Sequence, residues 1–303
     1  MLIGLDIGGT KIEGVCLDPS TYTLINKVRV ATPKDNYAAF LDAVVSTIEA
    51  LSSDQAPISV GIGCCGSLSK DTQRMQGSNL LYLNGEDFIG DLKEYITLPI
   101  AIANDADCLA ISEFKSGAAK HAENSCIAVI IGTGCGSGII INGDVVTGLN
   151  NLGGEMGHNP LPGYTQEQDG EAVTCYCGST NCIESFCSGT GFERTYAAKH
   201  VPLKAKTIFE QAEQGDADAL QHIDTYTDQL ARSLGSIVNV IDPEVIVLGG
   251  GMSNQGCIYP LVQDKLSRYT FSKAVATQVV KAEHGDSSGV RGAAILPQLK
   301  GLV

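Results

Sequence analysis

Two patterns of apolar residues, continuous runs and helically spaced positions, alternate along the chain and predict its secondary structure. Uninterrupted apolar runs of roughly four to eight residues are typical of buried strands. They lie at residues 2–17 (two strands around a Gly-Gly-Thr turn), 24–30, 58–63 and 99–103. Residues 37–51 instead have apolar side chains at helical spacing, and a second helix is predicted at about 106–119. Strands and helices in this order favour an α/β fold.

The opening pattern of the chain recurs in its second half. Residues 126–142 again predict a strand, a glycine-rich turn and a strand, with Gly132 standing where Gly8 stood, an offset of 132 − 8 = 124 residues. This offset is too long for a solenoid repeat and fits a duplicated domain. We therefore predict an N-terminal α/β domain at 1–117, onto which a C-terminal helix at 288–303 packs back, and a second α/β domain at 118–287. Further elements predicted in the second half are helices at 204–239 and 257–270 and a strand with a glycine turn at 243–251.

Composition excludes several classes of protein. The 303 residues are 44% hydrophobic and 18% charged, which is typical of a globular chain and not of a disordered one. The net charge of −14 disfavours nucleic acid and anionic membrane surfaces as partners. No run reaches the ~18 apolar residues of a membrane span, and Asp6 comes too early for a secretory signal, so we expect a cytoplasmic protein. Apart from the adjacent Cys64–Cys65 and the group at 175–187, the eleven cysteines stand singly in apolar runs, as buried thiols do in a reducing compartment.

Three glycine-rich turns, each after an apolar strand, are candidates for phosphate binding. They contain Gly8, Gly9, Thr10 and Lys11; Gly132, Thr133 and Gly134; and Gly249, Gly250 and Gly251. One such turn is usually a tight hairpin, but glycine also lets several N–H groups converge on an anion, and three turns favour nucleotide binding. A P-loop motif is absent from the sequence. The Gly61-x-Gly63-x-x-Gly66 pattern is followed by polar residues and is predicted to be a loop, not a dinucleotide site.

Two aspartates lie at the ends of predicted strands. Asp6 precedes the first turn, where a carboxylate either orients Mg²⁺ beside the phosphates or is a hydrogen-bonded turn residue. Asn104–Asp105 ends a strand and opens a helix, at the strand end where open α/β sheets bind ligands. Asp105 is therefore either a general base for phosphoryl transfer or a helix N-cap, and Asp107 is a weaker candidate for both roles.

A possible metal site lies in the loop-rich stretch 150–190. Three thiolates and one imidazole form a closed tetrahedral set for structural zinc, and this set is His158, Cys175, Cys177 and Cys182. The alternatives are free thiols beside an unrelated histidine, or replacement of one ligand by Cys187.

Together these motifs resemble the ROK family of bacterial sugar kinases. The resemblance rests on DIGGTK at 6–11, IIGTGCGSG at 130–138, GGEMGH at 153–158 and CYCGSTNCIES at 175–185, and it extends over essentially the whole chain. It implies the actin-like, ribonuclease-H-like ATPase fold, with two α/β domains and a cleft between them, and a homodimer. One departure is Cys65–Gly66, where the family often has Pro-Gly.

The resemblance also implies roles for individual residues. ATP and Mg²⁺ would bind at the three glycine turns and Asp6, Asp105 would be the general base, and the Cys₃His set would hold structural zinc. His158 would bind the metal through one ring nitrogen and face the sugar with the other. The implied sugar contacts are Gly66, Asn79, Asn104, Asp105, Glu155, His158 and Glu184.

Two stretches bear on the substrate. GHNPLP at 157–162 and HGDSSGVRGAA at 284–294 look most like the fructokinase (manno-fructokinase) branch. Pro160 is predicted to stiffen the loop after His158, so that little room remains for a 2-acetamido group. We therefore predict ATP-dependent phosphorylation of fructose at the 6-hydroxyl, with N-acetylglucosamine or glucose as alternative substrates.

Two functions of other classes compete with catalysis. The family also contains repressors with an added helix-turn-helix, but here the first predicted strand begins at residue 2 and leaves no room for one. A sugar sensor that has lost catalysis is disfavoured because Asp6, Asp105 and all three glycine turns are present.

Overall fold

The computed structural model describes residues 1–52, 56–64, 66–78 and 80–303, and these form two compact units. The first unit comprises residues 1–120, 144–153 and 286–303, and the second comprises residues 121–143 and 154–285. Residues 144–153, which the sequence analysis assigned to a continuous second domain at 118–287, group with the first unit instead.

The first unit is built on a mixed sheet. The strands of this sheet are β1 (Leu2–Ile7), β2 (Lys11–Leu17), β3 (Leu24–Ala31), β4 (Ser59–Cys64) and β7 (Ile100–Ala103). The short strands β5 (Ser67–Leu68) and β6 (Met75–Gln76) form a separate two-stranded sheet. The sheet order is β3-β2-β1-β4-β7, and β1 pairs antiparallel with β2 but parallel with β4. The helices are α1 (Tyr37–Leu51), α2 (Phe88–Lys93), α3 (Asp105–Ser116) and the C-terminal α10 (Ser288–Leu299).

Helix α1 covers one face of this sheet. It begins at Asn36, whose side chain accepts a hydrogen bond from the Ala39 N–H (2.9 Å), and its range is the one that the apolar spacing predicts. Phe40, Val44 and Ile48 lie in the core beneath it. Each such buried side chain contributes about 1.5–3 kcal/mol to folding.

Helix α10 packs so closely on the sheet that two strand positions require glycine. A Cβ at Gly4 would lie 2.2 Å from the Val290 carbonyl oxygen, and a Cβ at Gly61 would lie 1.7 Å from the Ala293 carbonyl oxygen. Gly61 and Gly63 belong to β4, as the strand predicted at 58–63 requires, so the loop interpretation of the Gly61-x-Gly63-x-x-Gly66 pattern is wrong for these two residues. Their spacing reflects the packing of a helix against a strand.

The second unit repeats the hairpin and the parallel strands of the first. Its strands are β8 (Ser125–Ile131), β9 (Cys135–Ile141), β11 (Val245–Gly249) and β12 (Gln278–Lys281). The two-residue β10 (Asp144–Val145), between β9 and β11 in the sequence, belongs to the first unit. The order β9-β8-β11-β12 matches β2-β1-β4-β7, with one antiparallel pair followed by parallel pairs. The duplication predicted from the glycine turns is therefore confirmed.

The helices of the second unit cover its sheet. They are α4 (Gln166–Asp169), α5 (Glu184–Cys187), α6 (Gly189–Ala197), α7 (Ala205–Glu213), α8 (Ala217–Ile241) and α9 (Ile258–Leu266). Phe186, Phe192 and Tyr226 are fully buried in this core. Short helices α4 and α5 interrupt the stretch predicted as loop, and β12 was not predicted. In the described part of the chain, no helix has the length and hydropathy of a membrane span.

Candidate active site and metal centre

The turn after β1 is held by hydrogen bonds to its own backbone. The Gly8 N–H donates to the Lys11 carbonyl (2.9 Å), which closes the turn. From the end of β3, the Thr32 hydroxyl donates to the Gly8 carbonyl (2.6 Å) and the Thr32 N–H donates to the Thr10 carbonyl (3.1 Å). Thr32, which the sequence analysis missed, therefore fixes the backbone of a predicted phosphate-binding turn.

Asp6 and Asp105, both in the first unit, interact through their charges. Burial, then the negative charge of Asp105, raises the pKa of Asp6 to about 6, although Lys11 opposes the shift. Burial also raises the pKa of Asp105, although N–H groups donate to its carboxylate. Buried carboxylates whose ionised form is disfavoured are suited to binding a cation or accepting a proton. The start of α10 reaches the same place, since a Cβ at Gly289 would lie 3.8 Å from Asp6 Cγ.

Asn104, not Asp105, is the N-cap of α3. Asn104 has extended backbone angles, and its side chain accepts a hydrogen bond from the Ala106 N–H (2.8 Å). Asp105 is the first helical residue, and its carboxylate accepts from the same N–H (2.9 Å). The structural role left open for Asp105 is thus filled by its neighbour, which leaves the Asp105 carboxylate available for chemistry.

The loop after β4 carries two of the implied sugar contacts. Gly66 has φ +103°, and a Cβ there would lie 2.7 Å from the Gln76 carbonyl oxygen, so glycine is required. Asn79 and Cys65 lie outside the described residues. The Asn84 side chain accepts a hydrogen bond from the Ser78 N–H (2.8 Å) and donates one to the Ser78 carbonyl (2.9 Å), which ties residue 84 to residue 78.

In the second unit, the turn at 132–134 is tied to Glu184. The Cys135 N–H donates to Glu184 Oε2 (2.9 Å), and a Cβ at Gly134 would lie 2.5 Å from that oxygen. The Gly189 N–H, at the start of α6, donates to the Gly132 carbonyl (2.8 Å). Glu184, implied as a sugar contact, therefore also orders a predicted nucleotide turn.

The turn after β11 requires glycine at its centre. Gly250 has φ +82°, and a Cβ there would lie 2.6 Å from the Ile131 carbonyl oxygen of β8. Any other residue at Gly250 would strain the backbone and clash with the neighbouring strand. Gly249 ends β11, and Gly251 begins a short 3₁₀ helix.

The four predicted metal ligands come together in the second unit. One ligand atom from each of His158, Cys175, Cys177 and Cys182 lies within 4.8 Å of every other. Cys175 Sγ lies 3.7 Å from His158 Nδ1, and Cys177 Sγ lies 3.6 Å from Cys182 Sγ. A tetrahedral site with bonds of about 2.0–2.3 Å has edges of about 3.5–3.8 Å, so the set fits zinc.

Other contacts define the surroundings of this cluster. Hydrogen bonds from Ser179 lower the pKa of Cys177 to about 6, which favours the thiolate that a metal needs. Cys187 is buried and lies 3.8 Å from the Ser233 hydroxyl, outside the cluster, so it replaces no ligand. His158 Nε2 lies 3.0 Å from the Tyr176 hydroxyl and 4.0 Å from Glu155. Tyr176 was missed, because an exposed tyrosine between two cysteines carries no chemical signature of its own.

The segment after His158 belongs to the metal loop. The Ile183 N–H donates to the Asn159 carbonyl (2.8 Å), and the Leu161 N–H donates to the Asn181 carbonyl (2.7 Å). Asn159 and Pro160 thus form a strand-like pair with residues 181–183. The conformation of this segment is therefore fixed by its hydrogen bonds to the metal loop. Its predicted stiffness does not indicate how much space a sugar substituent would have.

The fold and these sites define the class of protein. Two α/β units that repeat one sheet order, with glycine turns after the first strand of each sheet, are the architecture of the actin-like ATPases. The profile of the ROK family matches residues 2–299, and the chain belongs to this family of sugar kinases.

Relatives of known name and solved structures extend the comparison. N-acetyl-D-glucosamine kinases of Photobacterium profundum and Escherichia coli are 35% and 37% identical to the chain over 301 residues, which is 98% of this chain and 99% of each relative. The ROK hexokinase of Thermus thermophilus superposes with a TM-score of 0.86 at 27% identity over 99% of both chains. A ROK glucokinase of Streptomyces griseus, solved with glucose and AMPPNP, gives a TM-score of 0.78 at 26% identity over 97% of this chain and 98% of its own.

These names bear on the predicted branch. Both curated relatives are named for N-acetyl-D-glucosamine and neither for fructose. The assignment to the fructokinase branch, made from residues 157–162 and 284–294, is therefore not confirmed by these relatives.

Proposed function

We propose that the protein is an ATP-dependent hexose kinase that phosphorylates N-acetylglucosamine at its 6-hydroxyl. The observation that carries the catalytic part is Asp105, a carboxylate with a raised pKa that lies beside Asp6 and is spared from capping its helix. The choice of sugar is supported by the names of the relatives.

Asp105 acts as the general base in this proposal. As the sugar hydroxyl oxygen attacks the γ-phosphorus, its proton passes to the Asp105 carboxylate and an O–P bond forms. The bond from the γ-phosphorus to the β,γ-bridging oxygen breaks, and ADP leaves with that electron pair. Burial, which raises the pKa of Asp105, makes the carboxylate a stronger base for this transfer.

Asp6 and the turn at 8–11 serve the phosphates. Bound Mg²⁺ would neutralise charge on the phosphate oxygens, and Asp6 would hold it directly or through water. Thr10 and Lys11 would contact phosphate oxygens, on a backbone that Thr32 keeps in place.

In the second unit, we assign nucleotide contacts to the turns at 132–134 and 249–251. The proposed sugar contacts in this unit are Glu155, His158 and Glu184. The other proposed sugar contacts come from the first part of the chain and are Gly66, Asn79 and Asn104. The Cys₃His set would hold a structural zinc ion, which uses all four coordination positions and adds no catalytic step. With Nδ1 turned to the thiolates, His158 would keep its proton on Nε2 as a fixed hydrogen-bond donor.

Fructose is the second candidate substrate. It is favoured by the resemblance of residues 157–162 and 284–294 to the fructokinase branch. The hydrogen bonds that commit Asn159 and Leu161 to the metal loop remove the argument that this segment excludes a 2-acetamido group.

A coupled assay of ADP release decides between the two sugars. We expect the highest kcat/KM with N-acetylglucosamine among N-acetylglucosamine, fructose, mannose and glucose. A higher kcat/KM with fructose would reverse the substrate assignment and keep the kinase. If none of the four sugars stimulates ADP release, the catalytic proposal is wrong.

A further inference from the structure

Four polar groups converge on the carboxylate of Glu13, in the middle of β2. Lys27 Nζ lies 2.7 Å from Oε1, and the Ser287 hydroxyl lies 3.3 Å from the same oxygen. Arg29 Nε donates to Oε2 at 2.8 Å, and Lys11 Nζ lies 3.4 Å from Oε2. The Glu13 side chain is fully buried, while the side chains of the three cations are 34–51% exposed.

The sheet register brings this cluster next to the phosphate-binding turn. Glu13 lies opposite Asp6 on β1 and opposite Arg29 on β3. Since side chains alternate along a strand, Lys11 faces the same side as Glu13, two residues earlier. Lys11 also closes the turn by accepting the Gly8 N–H, so the cluster begins where the turn ends.

The charges make the position of Lys11 depend on Glu13. Three cations surround the Glu13 carboxylate, and with the Asp6 carboxylate opposite it the local charge is 3 − 2 = +1, in a chain whose net charge is −14. Lys27 and Arg29 hold the carboxylate at shorter distances than Lys11 does, and each repels the Lys11 ammonium. Burial alone would raise the pKa of Glu13, but hydrogen bonds from Lys27 and Arg29 and the charge of Lys11 lower it to about 2. Glu13 is therefore ionised at neutral pH and offsets this repulsion.

We propose that Glu13 is a positioning residue that holds the Lys11 ammonium at the phosphate-binding turn, and so acts on nucleotide affinity through Lys11. The inference rests on the proposed function, because Lys11 is assigned there to the phosphates. The long contact to Lys11 suits this role, since an ammonium held loosely on one side retains its capacity to bind a phosphate oxygen.

The test compares the affinity for Mg-AMPPNP, measured by calorimetry, in wild type, Glu13→Gln, Lys11→Met and the double variant. We expect Glu13→Gln to weaken binding about tenfold, which corresponds to about 1.4 kcal/mol. In the Lys11→Met background, Glu13→Gln should have no further effect, because Glu13 acts through Lys11. Equal affinity in wild type and Glu13→Gln, or additive losses in the double variant, would overturn the proposal.

Two further variants separate positioning from simple stabilisation. Lys27→Met removes an ion pair from Oε1, the oxygen that Lys11 does not contact, and also a cation that repels Lys11, so it should lower the melting temperature without weakening Mg-AMPPNP binding. If Glu13→Gln does not fold, Glu13→Asp keeps the charge on a shorter side chain. It should weaken Mg-AMPPNP binding in the native background and not in the Lys11→Met background. An unchanged affinity in both backgrounds overturns the proposal.

Nucleotide binding also separates this proposal from the proposed function. A wild type that binds Mg-AMPPNP but phosphorylates no hexose would refute the kinase, while the Glu13 variants would still test the positioning role. A wild type that binds no Mg-AMPPNP would refute both.

Discussion

Replacing Asp105 by Asn tests the proposed general base directly. The two side chains have nearly the same shape, and the Asn oxygen can still accept the Ala106 N–H that Asp105 accepts at 2.9 Å. The N-cap of α3 belongs to Asn104 and is untouched. We therefore expect the variant to fold and, because burial disfavours the ionised Asp105 carboxylate, to be at least as stable as wild type at neutral pH.

The catalytic loss should be large. A positioned base contributes roughly 10²–10⁴ in rate. At about 1.36 kcal/mol per factor of ten, this is about 2.7–5.4 kcal/mol of transition-state stabilisation. Because the Asp105 charge helps to raise the pKa of Asp6 to about 6, the substitution should also lower that pKa.

The assay is sugar-dependent ADP release, with sugar affinity measured by calorimetry and folding followed by thermal melting. Asp107→Asn is the comparison, because Asp107 lies two residues further along the same helix and was the rival candidate from the sequence. We expect it to keep kcat within about tenfold of wild type, since it removes no base. A folded Asp105→Asn enzyme with near-normal kcat would show that Asp105 is not the base.

Three further predictions concern the proposed zinc site, the proposed magnesium ligand Asp6 and the packing of α10 on the first sheet. Cys177→Ser should lower the zinc content from one ion per chain and reduce the melting temperature. Cys257→Ser, at an exposed cysteine outside the cluster, should change neither quantity. Elemental analysis that finds no zinc in wild type purified without chelator would contradict the assignment. Asp6→Asn should reduce Mg²⁺-dependent turnover far more than sugar affinity, and equal losses of both would mean that the turn had collapsed. The pKa of Asp6 is about 6 in the folded chain and ordinarily 3.8, so between these pH values the folded state binds a proton that the unfolded state has lost. The contribution of Asp6 to the free energy of unfolding therefore falls as the pH rises through 6. Denaturation without magnesium should find Asp6→Asn more stable relative to wild type at pH 7.5 than at pH 4. Gly61→Ala should lower the free energy of unfolding by about 3 kcal/mol or more, because its Cβ would clash with the Ala293 carbonyl. Gly256→Ala, where a Cβ meets open space, should change this free energy little. Equal denaturation midpoints for the two variants would refute the packing argument.

Much of the fold follows from patterns that are local in the sequence. The range of α1 is fixed by apolar spacing and by the Asn36 cap, and both glycine hairpins are visible as a strand, a turn and a strand. Strand β12 was not predicted, since it is four residues long with only Val279 buried. The assignment of residues 144–153 to the first unit depends on contacts distant in sequence, which no local pattern reports.

The candidate site divides in the same way. His158 and the three cysteines form a set because their ligand chemistry is specific, and the structure brings them together. The roles of Asn104 and Asp105 could not be separated by spacing, because both residues suit a helix start and only the cap hydrogen bond distinguishes them. Thr32 and Glu13 act through hydrogen bonds between strands, so neither has a signature of its own.

The position of α10 sets the order in which the chain can fold during its synthesis. Residues 286–303 leave the ribosome after residues 1–285, yet they complete the unit that contains residues 1–120. Until then, Gly4 and Gly61 line a sheet face with no helix on it. The second unit, residues 121–143 and 154–285, is synthesised before residues 286–303. It can therefore fold while the first unit still lacks α10. A nascent chain thus lacks the α10 cover of its first sheet until residues 286–303 have been made, and a variant truncated before Asp286 would keep that sheet face exposed.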